Sequence, residues 1–181
     1  MVLESMTGEH AQGLYNRGRF EPDWVHLPRS CFVDLADTRQ WIDEAIEAPG
    51  QLPFAIVEKA KHKVIGSTRY LNIRPEHRSL EIGWTWLGQQ WQRTPANTEA
   101  KLLLLSHAFD RLGCVRVEFK TDARNARSQR ALERIGATRE GVLRKHMIVQ
   151  GNFARDSVYF SVIDSDWPEV RERLTLLRER A

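Results

Sequence analysis

Between Ser79 and Ala137 the chain reads SLEIGWTWLGQQWQRTPANTEAKLLLLSHAFDRLGCVRVEFKTDARNARSQRALERIGA. An extended run leads into a polar turn, an amphipathic helix, a second extended run and a second helix opened by Asn125. A strand, helix, strand crossover joins parallel strands, whereas hairpins join antiparallel ones. The stretch therefore demands one parallel pair in whatever sheet surrounds it. Its polar turn feeds a helix start, where the first amides lack intrahelical partners and the helix dipole is positive, a place suited to a phosphate. The segment is expected to bind a nucleotide-like cofactor.

The flanks supply hairpins and helices. Val2 to Met6 reads as an edge strand, and Thr7 as the cap of a helix running to about Asn16 with Ala11 and Leu14 or Tyr15 inward and Gly18 as its stop. Phe20 to Asp34 carries Pro22 and Pro28 among Trp24, Phe32 and Val33, and reads as a loop folded over either the core or a ligand. Asp37 or Thr38 is expected to cap a second helix with Trp41, Ile42, Ala45 and Ile46 as its apolar stripe, ended by Pro49-Gly50. LPFAIVEKA and KVIGSTRYLNI form a hairpin, and SLEIGWTWL extends it to a meander. In that third strand Glu81, Gly83 and Thr85 alternate with Ile82, Trp84 and Trp86, which predicts one face for all the bulky groups. A helix is expected over Thr98 to Leu112, a strand over Val115 to Lys120, and a helix over RSQRALERI with Gly136 as its C-terminal stop. GVLRKHMIVQ and SVYFSVID pair through Gly151-Asn152, and Trp167-Pro168 opens a last helix with Val170, Leu174 and Leu177 inward.

The 181 residues suit one well-packed domain, residues 1–181, with 41% hydrophobic and 28% charged side chains in an ordinary globular balance. The 27 Lys and Arg are dispersed among 24 Asp and Glu, without the block a nucleic-acid arm uses, which makes nucleic acid the less favoured partner, although the net charge of +3 by itself suits an anionic small molecule and RNA alike. Cys31 and Cys114 are too few for a disulfide framework or a metal cluster, so no metal is expected. No window approaches the length and apolarity of a membrane span, and MVLESMTGEH lacks the pattern of a signal peptide, so a cytoplasmic location is expected.

The turn QRTPAN before TEAKLLLLSHAF, the later NARSQRALERIGA, and EGVLRKH with RDSVYFSV resemble, in this joint order, the GNAT superfamily of acyl-CoA-dependent N-acyltransferases, in the branch typified by the RimJ and RimL ribosomal-protein N-terminal acetyltransferases. The resemblance runs from about Leu3 to Trp167 and is most specific between Glu81 and Asp156. It implies an α/β (α+β) GNAT fold: a mixed, mostly antiparallel sheet of about seven strands with flanking helices, in which a fourth strand at about Leu80 to Leu87 splays from a fifth at Val115 to Lys120. It implies acetyl-CoA as acyl-donor cosubstrate and a primary amine as acceptor, a protein N-terminus or a small molecule, attacked directly in a ternary complex. Succinyl-CoA or another donor stays open, as does a homodimer.

The family's phosphate turn, carried onto this chain, gives Gln92, Arg93, Thr94, Pro95, Ala96 and Asn97. Pro95 and Asn97 stand where glycine, and glycine or alanine, are expected; Arg93 with the side chains of Thr94, Asn97 and Thr98 is expected to make good the donor that proline lacks. Asn125 matches the asparagine beside the pantetheine arm. Glu133 occupies the position of the family's common tyrosine acid, and the resemblance to the RimL-like branch points to Ser128 near the thioester sulfur instead. By the same resemblance, backbone amides near Trp86 or Leu87 are the expected oxyanion donors and Glu81 the expected proton acceptor with His146 and Asp156 behind it; Arg127, Arg130 and Arg134, at about helical spacing, form either a solvated face or a phosphate contact, with Arg130 the expected one. Two competing functions remain at this point: a catalytically degenerate acyl-CoA sensor or interaction module, motivated by Pro95 and the missing tyrosine, and RNA binding, motivated by the pI of about 9.1.

Overall fold

The computed structural model describes residues 1–179. Its elements are β1 (Val2–Ser5), α1 (Ala11–Arg17), α2 (Leu35–Glu47), β2 (Leu52–Glu58), β3 (Lys63–Arg74), β4 (Ser79–Leu87), α3 (Ala96–Ser106), β5 (Arg116–Asp122), α4 (Ala126–Ile135), β6 (Thr138–Val149), β7 (Phe153–Ile163) and α5 (Trp167–Glu179). The seven strands lie in the order β1-β2-β3-β4-β5-β7-β6. Only β4 and β5 run parallel, joined by the crossover through α3; every other neighbour is antiparallel. The mixed sheet with one parallel pair is thus the one the central stretch demanded.

Side-chain alternation sorts the sheet into two faces. Leu80, Ile82, Val117, Phe119, Val158 and Phe160 pack against Leu104 and Leu105 of α3, Leu132 and Ile135 of α4, and Trp167, Val170 and Leu174 of α5. A fully buried side chain such as Phe160 is worth about 1.5–3 kcal/mol over an exposed one. On the opposite face Ala11 and Leu14 of α1 and Trp41 and Ile42 of α2 join Trp24, Phe32 and Trp86. Trp24 and Phe32 of the breaker-rich loop are therefore core, while Val33 is exposed: the Trp24 ring lies edge to face with Phe32 at 4.8 Å and tilted against Trp86 at 5.2 Å.

Three expectations are corrected. Asp34, not Asp37 or Thr38, caps α2: its carboxylate accepts from the Asp37 amide at 2.8 Å, while Thr38 is buried one turn in and Ile46 is exposed. The helix after the polar turn begins at Ala96, two residues before Thr98, and its last turn, His107–Arg111, widens to a π turn. Proline before it, with φ −60°, is already helical and so serves as the cap.

The third correction concerns β4. Ser67 pairs with Trp86 but Arg69 with Gly83, so two steps on β3 face three on β4 and one residue bulges out. Trp84 takes the strain, with φ 50°. The bulge inverts the alternation: Ile82 and Leu87 face α3, while Trp84 and Trp86 turn to the α1/α2 face, instead of all the bulky groups sharing one side. The Arg69 guanidinium, 4.7 Å from the Trp41 ring and 4.6 Å from the Trp84 ring, rivets the displaced indole in place.

Candidate functional site

Parallel pairing of β4 with β5 lasts only three residues, Ser79 with Arg116, Leu80 with Val117 and Glu81 with Glu118. Beyond Glu81 the strands part, and a cavity of about 560 Å³ opens between them. One wall is the end of β4, the polar turn and the first turn of α3; the other is β5 with the start of α4. Trp86, Leu87, Gln92, Arg93, Thr94, Asn97, Thr98, Asn125, Ser128, Arg130 and Glu81 all line it. The structure thus brings together every residue expected at the site except the two runners-up. His146 meets the Ser157 hydroxyl at 3.1 Å, and the Asp156 carboxylate accepts from the Lys145 amide at 2.7 Å, pinning the β6–β7 hairpin.

Each lining residue has a local reason for its position. The Asn125 carboxamide oxygen accepts from the Ser128 amide at 3.0 Å, which caps α4 and turns the Ser128 side chain toward the cavity. The Thr94 hydroxyl donates to the Trp91 carbonyl at 2.7 Å and closes the polar turn. Thr98 is buried and its hydroxyl accepts from Arg134 at 3.2 Å, a bond that ties α3 to α4 behind the cleft. Gln92 was expected at a phosphate, yet its carboxamide is engaged on both sides. It donates to Asp23 at 2.7 Å and to the Leu87 carbonyl at 3.0 Å, and accepts from Arg127 at 2.8 Å.

Glu81 lies where the strands part, 2% exposed. Its Oε2 accepts from Asn72 at 2.8 Å and sits 3.5 Å from the Lys120 ammonium. Its Oε1 points toward Gly83, where a Cβ would come within 3.2 Å of it, so the glycine leaves that oxygen room.

Sequence reasoning missed Lys101, Thr85, Asp23, His26 and Arg155, all of which line the cavity. Lys101 carried a signal: it is a charge set inside the apolar run EAKLLLL. Its ammonium donates to Thr85 at 2.9 Å, Thr85 meets Thr68 at 2.8 Å, and the Phe119 ring lies 5.5 Å away. Burial disfavours the charged form and brings its pKa down to about 7. The His26 pKa is lowered by burial, which outweighs the attraction of Asp122 3.9 Å away. Burial alone would raise the Asp122 carboxyl, but hydrogen bonds from Arg124 hold it below the usual carboxylate range.

The lysine makes stability depend on pH with a definite sign. An unfolded chain keeps the proton up to the ordinary value of 10.5, whereas the folded chain releases it near 7. Between those values the unfolded state binds more protons, so stability rises with pH. Relative to Lys101→Met, the unaltered chain is expected to gain about 2 kcal/mol between about pH 7 and 9 in urea unfolding. Parallel pH slopes for the two proteins would show that the lysine is not the titrating group.

The family model of the Acetyltransferase (GNAT) domain matches residues 1–138. The chain is 26% identical over 142 residues, 78% of its own length and 81% of the relative's, to the uncharacterized N-acetyltransferase YnaD of Bacillus subtilis. Among solved structures it is similar to a GCN5-related N-acetyltransferase from Brucella melitensis, with 34% identity, a TM-score of 0.91, and 96% of this chain and 80% of that one covered. The fold is also shared with spermidine N-acetyltransferase from Vibrio cholerae, solved in complex with CoA and spermine, at 15% identity and a TM-score of 0.76, over 92% of this chain and 97% of that one.

Proposed function

The chain belongs to the GNAT acetyltransferase family and transfers an acetyl group from acetyl-CoA to an amine, and from that premise we propose how its own residues divide the work. The observation that carries the proposal is the cleft itself: a helix start with free amides on one wall, and a buried carboxylate where the strands diverge.

The donors present fit the pyrophosphate of a coenzyme A thioester. The amides of Asn97 and Thr98, in the first turn of α3, have no carbonyl of a preceding turn to bond, and Arg93, Thr94 and Arg130 border the same end of the cavity. Pro95 removes only an amide that precedes the helix. Acetyl-CoA brings the acetyl group activated as a thioester. Asn125 borders the pantetheine path, amides of β4 near Trp86 and Leu87 stabilise charge on the carbonyl oxygen, and such preorganised donors are worth about 3 kcal/mol. Glu81 accepts the proton of the attacking amine, and Ser128 hydrogen-bonds the departing sulfur. The chain acts as one domain of the RimJ/RimL-like branch, with a peptide or small-molecule amine as acceptor.

Melting with and without acetyl-CoA, followed by thiol release with a panel of amines, tests the assignment. A thermal shift with acetyl-CoA and thiol release with an amine supports it. Ser128→Ala is expected to lower kcat about tenfold with the KM for acetyl-CoA little changed, consistent with loss of one hydrogen bond to a charged group. An unchanged rate at saturating substrates removes Ser128 from the reaction. The second reading, an acyl-CoA-binding module, rests on Glu133, which is exposed where the family's tyrosine acid stands. Acetyl-CoA binding without thiol release for any amine would select it.

A further inference from the structure

Arg155 is 4% exposed and borders the cavity. Antiparallel pairing of β5 with β7 matches Glu118 with Ser161, Lys120 with Tyr159 and Asp122 with Ser157, which sets Arg155, two residues beyond Ser157, on the sheet face away from α3. Glu81, paired with Glu118, shares that face. The proposed proton acceptor and this guanidinium therefore look onto the same side of the sheet.

Burying a guanidinium is expensive unless its charge and its five donors are matched. Here the matching is incomplete. Nε reaches the Ser157 hydroxyl at 3.1 Å, one terminal nitrogen lies 3.4 Å from the His26 carbonyl, and the other 3.5 Å from the Met147 sulfur, a weak acceptor. Among the described residues no carboxylate comes within 4.0 Å of it. The two acids whose fields reach it, Asp122 and Glu81, are committed elsewhere: Asp122 to Arg124 in a two-pronged contact at 3.0 and 2.7 Å, Glu81 to Asn72 and Lys120. The carbonyl and the hydroxyl are neutral, so the buried charge has no ionic partner of its own.

We propose that Arg155 receives a carboxylate of the acceptor, so that the amine acetylated by this chain belongs to an amino acid or short peptide with a free carboxylate. The inference rests on the reading of the chain as an amine acetyltransferase and names its substrate class. A carboxylate accepts two parallel N–H bonds from a guanidinium, a geometry that no neutral acceptor now beside Arg155 provides. A polyamine would instead add positive charge beside Arg155 and Lys120.

The test is calorimetric titration of the CoA-saturated protein with matched acid and amide pairs, single residues such as phenylalanine against phenylalaninamide, and dipeptides against their amides. At least one acid is expected to bind tenfold or more tightly than its amide, and the pair that shows it gives the spacing between amine and carboxylate. Arg155→Met should erase that difference while CoA still binds, and Arg155→Lys should retain part of it. If the methionine variant does not fold, the comparison on the unaltered protein still decides. Acid and amide binding equally, or not at all, overturns the assignment, as does acetylation of spermidine at a kcat/KM equal to the best acid. Neither result touches acetyl transfer itself, whose failure would show separately as no thiol release with any amine.

Discussion

Glu81→Gln is expected to lower kcat/KM about a hundredfold, the lower end of what a positioned general base contributes. Glutamine keeps the shape and can still accept the Asn72 hydrogen bond at Oε2, so the cleft should keep its form. It cannot take a proton from an ammonium, and it leaves Lys120 without its partner at 3.5 Å. Melting temperature and acetyl-CoA affinity close to those of the parent would assign the loss to proton transfer. Activity within threefold of the parent, with the fold intact, would reduce Glu81 to an anchor for Lys120.

Gly66→Ala is expected to destabilise the fold strongly. A Cβ there would stand 2.1 Å from the Trp86 carbonyl oxygen and 3.0 Å from the Leu87 Cα, which are backbone atoms of the neighbouring strand. Backbone held in a sheet cannot swing aside as a flexible side chain does, so β4 must shift where it forms the cleft wall. Overpacking of this kind costs about 3 kcal/mol, which for a chain of this size lowers the melting temperature by about 6–12 °C. The same shift moves the amides near Trp86, so turnover should fall even below the melting range. A melting temperature within 2 °C of the parent would show that the sheet absorbs the methyl group.

Much of this architecture was legible because it rests on local periodicity. The helix stripes, the Gly136 stop and the strand, helix, strand crossover need nothing beyond neighbours in the chain. The β4 bulge was not legible: SLEIGWTWL alternates cleanly, and only pairing with β3 across Ser67 and Arg69 reveals the extra residue. Thr98 looked like a helix opener because its hydroxyl resembles a cap, but Pro95 already holds helical φ and starts the turn earlier. At the site, Asn125 was readable as the residue that opens α4, whereas Ser128 came only from the resemblance to the RimL-like branch. Arg155 was not readable, because nothing in the run RDSVYFSV shows which face of the sheet it takes until β7 is laid against β5.

Gln92 has a consequence for kinetics. Through Asp23 on one side and Arg127 on the other it strings a line of hydrogen bonds from the aromatic loop, past the end of β4, to the start of α4. That line joins the two walls of the cavity, so a molecule threading between them is expected to unfasten it. Association slower than free diffusion would allow is the expected outcome, and stopped-flow binding of acetyl-CoA to Gln92→Ala, faster than to the parent, checks it. The carboxamide freed from Asp23 and Arg127 becomes available to the incoming molecule, so the latch that delays its arrival can also hold it once seated.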